Sequence, residues 1–448
     1  MFEPFPRYER YDPALPVWCV TPGEGRAIHR FFDTCPFSPS GRYLAFFRLP
    51  FEDRPPNIGE VGQVCTVDLQ TGEERVVAET RGWEPQMGAN VNWGGSDDEL
   101  FYNDVDPETW IPFAWKADPF SSARLRLEGT VYHASPDGRW LISANMTTMR
   151  KTQKGYGVPV PDEHVRRNAG PAEDDGFYLT DTRTGECRLL VSIRQLLEGS
   201  NPEIHVAGAG GMEIYGFHSK FNPQGDRLML SLRWFPAGDE PRFNAFRTCP
   251  GQTRFAWITM CLDGSAMHCA VGPEEWEKHG HHATWFPDGE RISMNLDIDR
   301  EGTVRFVQVD ADGSGLGKML DTVWGSGHPT VHPDGRHILT DTYTFETGAF
   351  GDGTIPLRWI DMEEGTETTL VRVNTQQPVQ GDSVMRVDPH PAWDRTWRYI
   401  AFNAFEGGTR RVYVADAGSL ISGPPRRESP RRETGYGFDL ADSVTSWN

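Results

Sequence analysis

The sequence predicts an all-β fold: a seven-bladed β-propeller of four-stranded antiparallel blades, filling residues 1–417 as a single domain. Three observations predict it. A hydrophobic residue, a Pro-Asp-Gly-like turn and an apolar strand recur seven times along the chain. Most copies are followed by a second, alternating hairpin. Helical periodicity is scarce, and Ser192-Ile193-Arg194-Gln195-Leu196-Leu197 is the one short candidate helix.

The turn copies run in order. Pro39-Ser40-Gly41 leads into Tyr43-Leu44-Ala45-Phe46, and a degraded copy, Trp93-Gly94-Gly95-Ser96-Asp97-Asp98, leads into Leu100-Phe101-Tyr102. Pro136-Asp137-Gly138 precedes Trp140-Leu141-Ile142, and Pro223-Gln224-Gly225 precedes Leu228-Met229-Leu230. Pro287-Asp288-Gly289 and Pro333-Asp334-Gly335 follow, and Trp393-Asp394-Arg395-Thr396-Trp397 before Tyr399-Ile400-Ala401-Phe402 closes the set. Proline presets the first turn dihedral and glycine accepts a positive φ, so each copy reads as a hairpin turn. Second hairpins such as Cys65 to Glu73, Tyr178 to Glu186 and Trp257 to Gly264 complete four strands per repeat. Spacings of about 40 to 90 residues bracket the length of a propeller blade plus insertions. The longest interval holds a polar insertion near 147–175, and loops of that length in a compact fold are usually functional or disordered. Residues 418–448, with Pro424-Pro425-Arg426-Arg427, read as an extended or flexible tail.

A net charge of −20 argues against nucleic acid and anionic membranes as partners, and an anionic ligand would need a local basic patch. No apolar run reaches the length of a membrane span. The opening residues lack a basic and then apolar signal segment, and the seven cysteines have no Cys-x-x-Cys spacing. A cytoplasmic setting is therefore expected, with the cysteines as small core residues. Oligomeric state is not legible.

Three histidines share the repeat frame. His282 stands five residues before Pro287, His328 five before Pro333, and His390 lies in the closing segment Asp388-Pro389-His390-Pro391-Ala392-Trp393. Equivalent positions in successive blades converge on the common axis, and converging imidazoles suit a divalent metal. Asp388, two residues before His390, shares its face in an extended segment and adds a carboxylate oxygen. The metal ligands expected are His282, His328, His390 and Asp388. His281 and His332 read as bystanders. His218 occupies the same frame, five residues before Pro223, and is expected to be a general base beside the metal, with Lys220 next to it as a second catalytic residue.

These segments, Gly216-Phe217-His218 with its following turn, His282-Ala283-Thr284-Trp285-Phe286-Pro287-Asp288-Gly289 and His390-Pro391-Ala392-Trp393, resemble the oligogalacturonate lyases. The resemblance spans about Ile28 to Asp416 and is strongest after Gly216. It implies a seven-bladed propeller that cleaves pectin-derived uronides in the bacterial cytoplasm, with Mn²⁺ held by three histidines and a glutamine and a separate histidine as base. Carried over by motif, the base falls on His218 and two ligands on His282 and His390. The third family histidine falls on Asp388, and the glutamine near Met385 or Arg386. Neither Met385 nor Arg386 is a ligand for a hard ion. Either His328 and Asp388 complete the site, or the metal is lost or exchanged and the substrate differs.

The implied reaction is β-elimination on a uronide, with a metal-bound carboxylate and His218 removing the proton beside it. The substrate expected is a small anionic oligosaccharide, met by Arg30, Arg150, Lys151, Lys154 and Arg247. Two other readings stay open at this point: a non-catalytic TolB-like binding or scaffold propeller, and a lyase or hydrolase acting on another uronide such as a rhamnose–glucuronate linkage. A prolyl-peptidase-like hydrolase would need a Gly-x-Ser-x-Gly elbow, which the chain lacks.

Overall fold

The computed structural model describes residues 1–238, 254–346, 348–376 and 383–420. Its strands form seven four-stranded antiparallel sheets, each one blade. Blade 1 opens at Ala27–Ile28, blade 2 at Asn92–Trp93, blade 3 at His133–Ala134 and blade 4 at Met212–Phe221. Blade 5 opens at Gly280–Trp285, blade 6 at Thr330–Val331 and blade 7 at Ala392–Trp393. Each sequence-read turn joins the first strand of its blade to the second. In blade 4, for example, Phe221 pairs with Leu228 across Pro223-Gln224-Gly225. Gly225, Gly289 and Gly335 all hold the positive φ that the turn requires.

Ring closure was not legible. The fourth strand of blade 7 is Val17–Cys19, paired antiparallel with Thr409–Asp416 from the other end of the chain. Apolar faces of adjacent blades pack into the core: Leu179 and Ile142 of blade 3, for instance, share one cluster with Leu230 and Ile258 of blade 4. Residues from the first strands, or just after them, line one axial cavity of about 390 Å³ at the turn end, among them Asn92, His133, Phe221, Thr284, Thr330 and Trp393.

The expected short helix is present as Ile193–Gly199, its N-cap Ser192 locked reciprocally with Gln195. The insertion in blade 3 carries one α-helical turn, Met149–Thr152, and one 3-10 turn, Asp162–His164. Its apolar residues Met149, Tyr156, Val158 and Val160 pack with Phe31, Phe32, Tyr132 and Phe217 over the axis. It is polar by composition, yet buries its apolar side in this cluster. All six described cysteines are unpaired. No helix among the described residues is long and apolar enough to cross a membrane.

Candidate functional site

Two inner strands carry the same irregularity. The pairing register shifts between Gly216 and Ser219 in blade 4, and between His281 and Thr284 in blade 5. A bulge of this kind re-aims a side chain out of the ladder. His218 and His282 both fall inside these shifts. His282 and His390 also hold positive φ, 58° and 48°, a region that non-glycine residues rarely adopt and that concentrates at functional sites.

His328, Asp388 and His390 converge. One ligand atom from each lies within 4.8 Å of the others, and all three residues are buried. The rings of His328 and His390 are edge to face at 4.4 Å, and His282 packs on His328 at 3.9 Å. Asp341 accepts from His328 Nδ1 at 2.8 and 3.0 Å and from the His328 backbone N–H at 2.8 Å. That fixes the proton on Nδ1 and leaves Nε2 as a bare acceptor, buried without a partner. Both ring nitrogens of His390 are likewise buried and unpartnered. Orphaned imidazole nitrogens beside a carboxylate fit a divalent cation of the Mn²⁺, Fe²⁺ or Zn²⁺ kind. The adjoining void, of about 10 Å³ and lined by Asp388, His390, Arg386 and Asn403, has room for one small ion or water.

His282 stands differently from the other expected ligands. Its Nδ1 lies 2.6 Å from the Gly327 carbonyl and 2.8 Å from His281 Nδ1, and its Nε2 lies 3.4 Å from the Tyr343 hydroxyl. It therefore adjoins the three-residue cluster without belonging to it. His332 sits at its turn, 3.1 Å from Asp334. At the positions where the resemblance set a glutamine, Met385 is fully buried and Arg386 donates from Nε to Asp388 Oδ2 at 2.6 Å.

His218 completes the group. Its ring stacks on Phe217 at 3.9 Å and on Tyr132 at 5.0 Å, and its Nε2 is buried without a partner. Burial, reinforced by the positive charges of Lys220, Arg233 and Arg30, holds this imidazole well below its ordinary pKa, so it is neutral. Burial does the same to His282 and His390, with His328 adding to the effect at both. The single ring of Phe31 touches them all, with centroids 5.7 Å from His218, 6.1 Å from His282, 5.7 Å from His328 and 4.6 Å from His390.

The two basic residues expected nearest the chemistry lie beside the group, Lys220 Nζ 5.7 Å from the Phe31 centroid, but are engaged in ion pairs. Lys220 is 2% exposed, ion-paired with Asp33 at 2.5 Å, and donates to the Ala283 carbonyl at 2.6 Å. It lines the axial cavity at the turn end, with its amine fully engaged. Arg30 is buried too, donating to Asn90, Thr34 and the Tyr132 carbonyl and paired with Asp33 at 3.4 Å. Burial alone would raise the Asp33 carboxyl, but Lys220 and Arg30 bring it down to about 2. Both basic residues are thus parts of a buried ion-pair network around Asp33, not of the rim.

Arg150, Lys151 and Lys154 line an open cleft of about 510 Å³, together with Arg167, Tyr156 and Val384. Arg150 also pairs with Asp162 at 2.6 Å. Tyr156 joins this cleft to the buried group, its ring lying 5.8 Å from that of His218. Arg247 lies outside the described residues. Sequence reasoning missed Asp341, Phe31, Asp33 and Glu84. Glu84 is wholly buried, and burial pushes its carboxyl up to about 7 against hydrogen bonds from the Gly157 N–H and from Asn90.

An oligogalacturonate lyase in complex with manganese superposes with a TM-score of 0.61 at 16% identity, over 92% of this chain and 96% of that one. This chain has the oligogalacturonate lyase fold. A second oligogalacturonate lyase, from Vibrio parahaemolyticus, gives a TM-score of 0.57 at 15% identity over the same shares. TolB from Acinetobacter baumannii, at 0.38, is too distant to carry an argument. No protein-family model and no curated protein sequence matches. At the cluster of this chain, Asp388 is ion-paired with Arg386 at 2.6 Å.

Proposed function

We propose that the protein is a metal-dependent carbon–oxygen lyase that cleaves uronic acid-containing oligosaccharides by β-elimination, with His218 as the general base. The observation that carries this reading is the shared Phe31 ring, which lies against both one neutral, unpartnered imidazole and a cation-ready cluster. A binding or scaffold propeller has no use for orphaned, buried imidazoles. The manganese complex among the similar structures supports Mn²⁺ as the ion.

His328, His390 and Asp388 would hold the ion, with His282 packed beside them against His328. The ion supplies Lewis-acid stabilisation of the charge that develops on the uronate carboxylate, worth several kcal/mol. His218 Nε2 takes the proton on the carbon beside that carboxylate. The C–H electron pair forms the new double bond, the glycosidic C–O bond breaks, and the departing oxygen takes a proton from solvent. A base so placed contributes roughly 10²- to 10⁴-fold. Arg150, Lys151, Lys154 and Arg167 of the open cleft hold the remaining uronates. His218 is 7% exposed, so turnover requires Tyr156 to move aside. A cytoplasmic location and a small anionic partner fit this chemistry.

The test is a panel of uronide oligosaccharides supplied with Mn²⁺, read by ultraviolet absorbance of the unsaturated product. His218→Ala should abolish the signal and keep bound metal, whereas His328→Ala should lose both. An active His218→Ala protein refutes the base assignment.

A further inference from the structure

Resting on the proposed function above, we infer that Arg386 is a built-in rival of the metal for Asp388, and that an anionic ligand relieves the rivalry, so that ion and uronate bind cooperatively. The backbone around Arg386 is held firmly. Gln86 Nε2 donates to the Val384 carbonyl at 2.7 Å and to the Arg386 carbonyl at 3.4 Å, Arg410 donates to the Met385 carbonyl, and Asn403 donates to the Asp388 carbonyl at 3.3 Å. Adjustment is left to the side chains.

Those side chains share one oxygen. Arg386 Nε lies 2.6 Å from Asp388 Oδ2, and that same oxygen lies 3.8 Å from His390 Nε2. A cation bound at the cluster needs Asp388 as a close ligand, which would place a dication and a guanidinium on the same carboxylate. The guanidinium is on the solvent side: its side chain is 22% exposed against 5% for Asp388. Tyr156 hydrogen-bonds it, and Tyr156 is also a wall of the basic cleft. A carboxylate entering from the cleft thus meets Arg386 first.

The guanidinium fork matches a carboxylate with two parallel hydrogen bonds. Once a ligand carboxylate takes Arg386, Asp388 is released toward His328 and His390. The coupling is reciprocal by linkage, so metal strengthens uronate binding by the factor that uronate strengthens metal binding, typically about 5- to 150-fold for coupled sites.

The experiment is calorimetric titration of the full chain with Mn²⁺, alone and with saturating galacturonate or neutral galactose. Galacturonate should tighten Mn²⁺ binding by about 5-fold or more, within the range for coupled sites, and galactose should not. Arg386→Met should bind Mn²⁺ more tightly than wild type and lose the galacturonate effect, which separates this coupling from direct chelation between uronate and ion. Asp388→Asn leaves Arg386 in place but removes this carboxylate from it, and should bind galacturonate without Mn²⁺. The inference is overturned if galacturonate leaves wild-type Mn²⁺ affinity unchanged, if natively melting Arg386→Met binds Mn²⁺ more weakly, or if Asp388→Asn still requires the ion. Mn²⁺ binding without coupling overturns this inference alone, whereas no Mn²⁺ binding by wild type overturns the proposed function with it.

Discussion

Asp341→Asn probes the cation cluster at a residue that would never touch the ion. Asp341 is fully buried and accepts twice from His328, through the ring Nδ1 at 2.8 Å and through the backbone N–H at 2.8 Å. A carboxylate has only acceptors to offer, so the His328 proton must sit on Nδ1 and Nε2 must be free. An asparagine has one acceptor and one donor group. Oδ1 takes both the backbone N–H and Nδ1 at 2.8 Å. An amide in the place of Oδ2, 3.0 Å from Nδ1, therefore sets a donor against that ring proton and favours the tautomer with a proton on Nε2, where the ion should bind. The negative charge beside the ring is lost as well. Partners of this kind are worth about 10- to 100-fold in metal affinity, or about 1.4 to 2.8 kcal/mol. Isothermal titration with Mn²⁺ reads the effect, with a thermal melt confirming that the variant is folded. A folded Asp341→Asn protein with wild-type Mn²⁺ affinity would refute the assignment of His328 Nε2 as a ligand.

Three more perturbations follow from the geometry. Gly327 has φ of 60°, and a Cβ there would lie 2.1 Å from Asp341 Oδ1, so Gly327→Ala should cost more than about 1 kcal/mol and weaken Mn²⁺ binding; an unchanged urea midpoint would count against the clash. Glu84 ionises near its ordinary 4.5 when unfolded but only near about 7 when folded, so its contribution to stability is complete below pH 4.5 and is lost as the pH rises through 7, by about 3 kcal/mol. Glu84→Gln should flatten that fall, and parallel stability–pH curves for the two proteins would contradict it. Lys220→Met strips Asp33 of its nearer partner and should cost about 3 to 5 kcal/mol, with part recovered by adding Asp33→Asn; equal losses in the single and double variants would show that the pair is not the cause.

The parts of the fold legible in the sequence were those written by backbone chemistry. Proline and glycine mark each inner turn because few other residues fit the dihedrals there, so even degraded copies such as Trp93 to Asp98 could be aligned. The same frame located His328, His390 and Asp388, since position relative to a turn fixes position relative to the axis. Orientation was not legible. His282 occupies the same frame as His328, yet its positive φ and the Gly327 carbonyl turn its Nε2 toward Tyr343. Charge was misleading in a related way. Arg30 and Lys220 look like ligands for an anion, but Asp33 pairs with both: it stands three residues after Arg30, whereas its pairing with Lys220 joins distant segments and leaves no local pattern. Asp341 was hidden for the same reason, in an unremarkable Leu-Thr-Asp-Thr stretch.

The splice at Val17–Cys19 has a consequence for assembly. Only three residues pair there, with Tyr413 to Ala415, and they join the two ends of the toroid. During synthesis this seam cannot form until Tyr413 to Ala415 have emerged, and contacts so far apart in sequence are slow to find each other. The seam lies in the blade headed by the strand that follows Asp388 and His390, whereas His328 precedes the blade before it. An ion that grips all three would bind only the finished toroid, and by mass action would fasten the clasp that the three-residue splice provides.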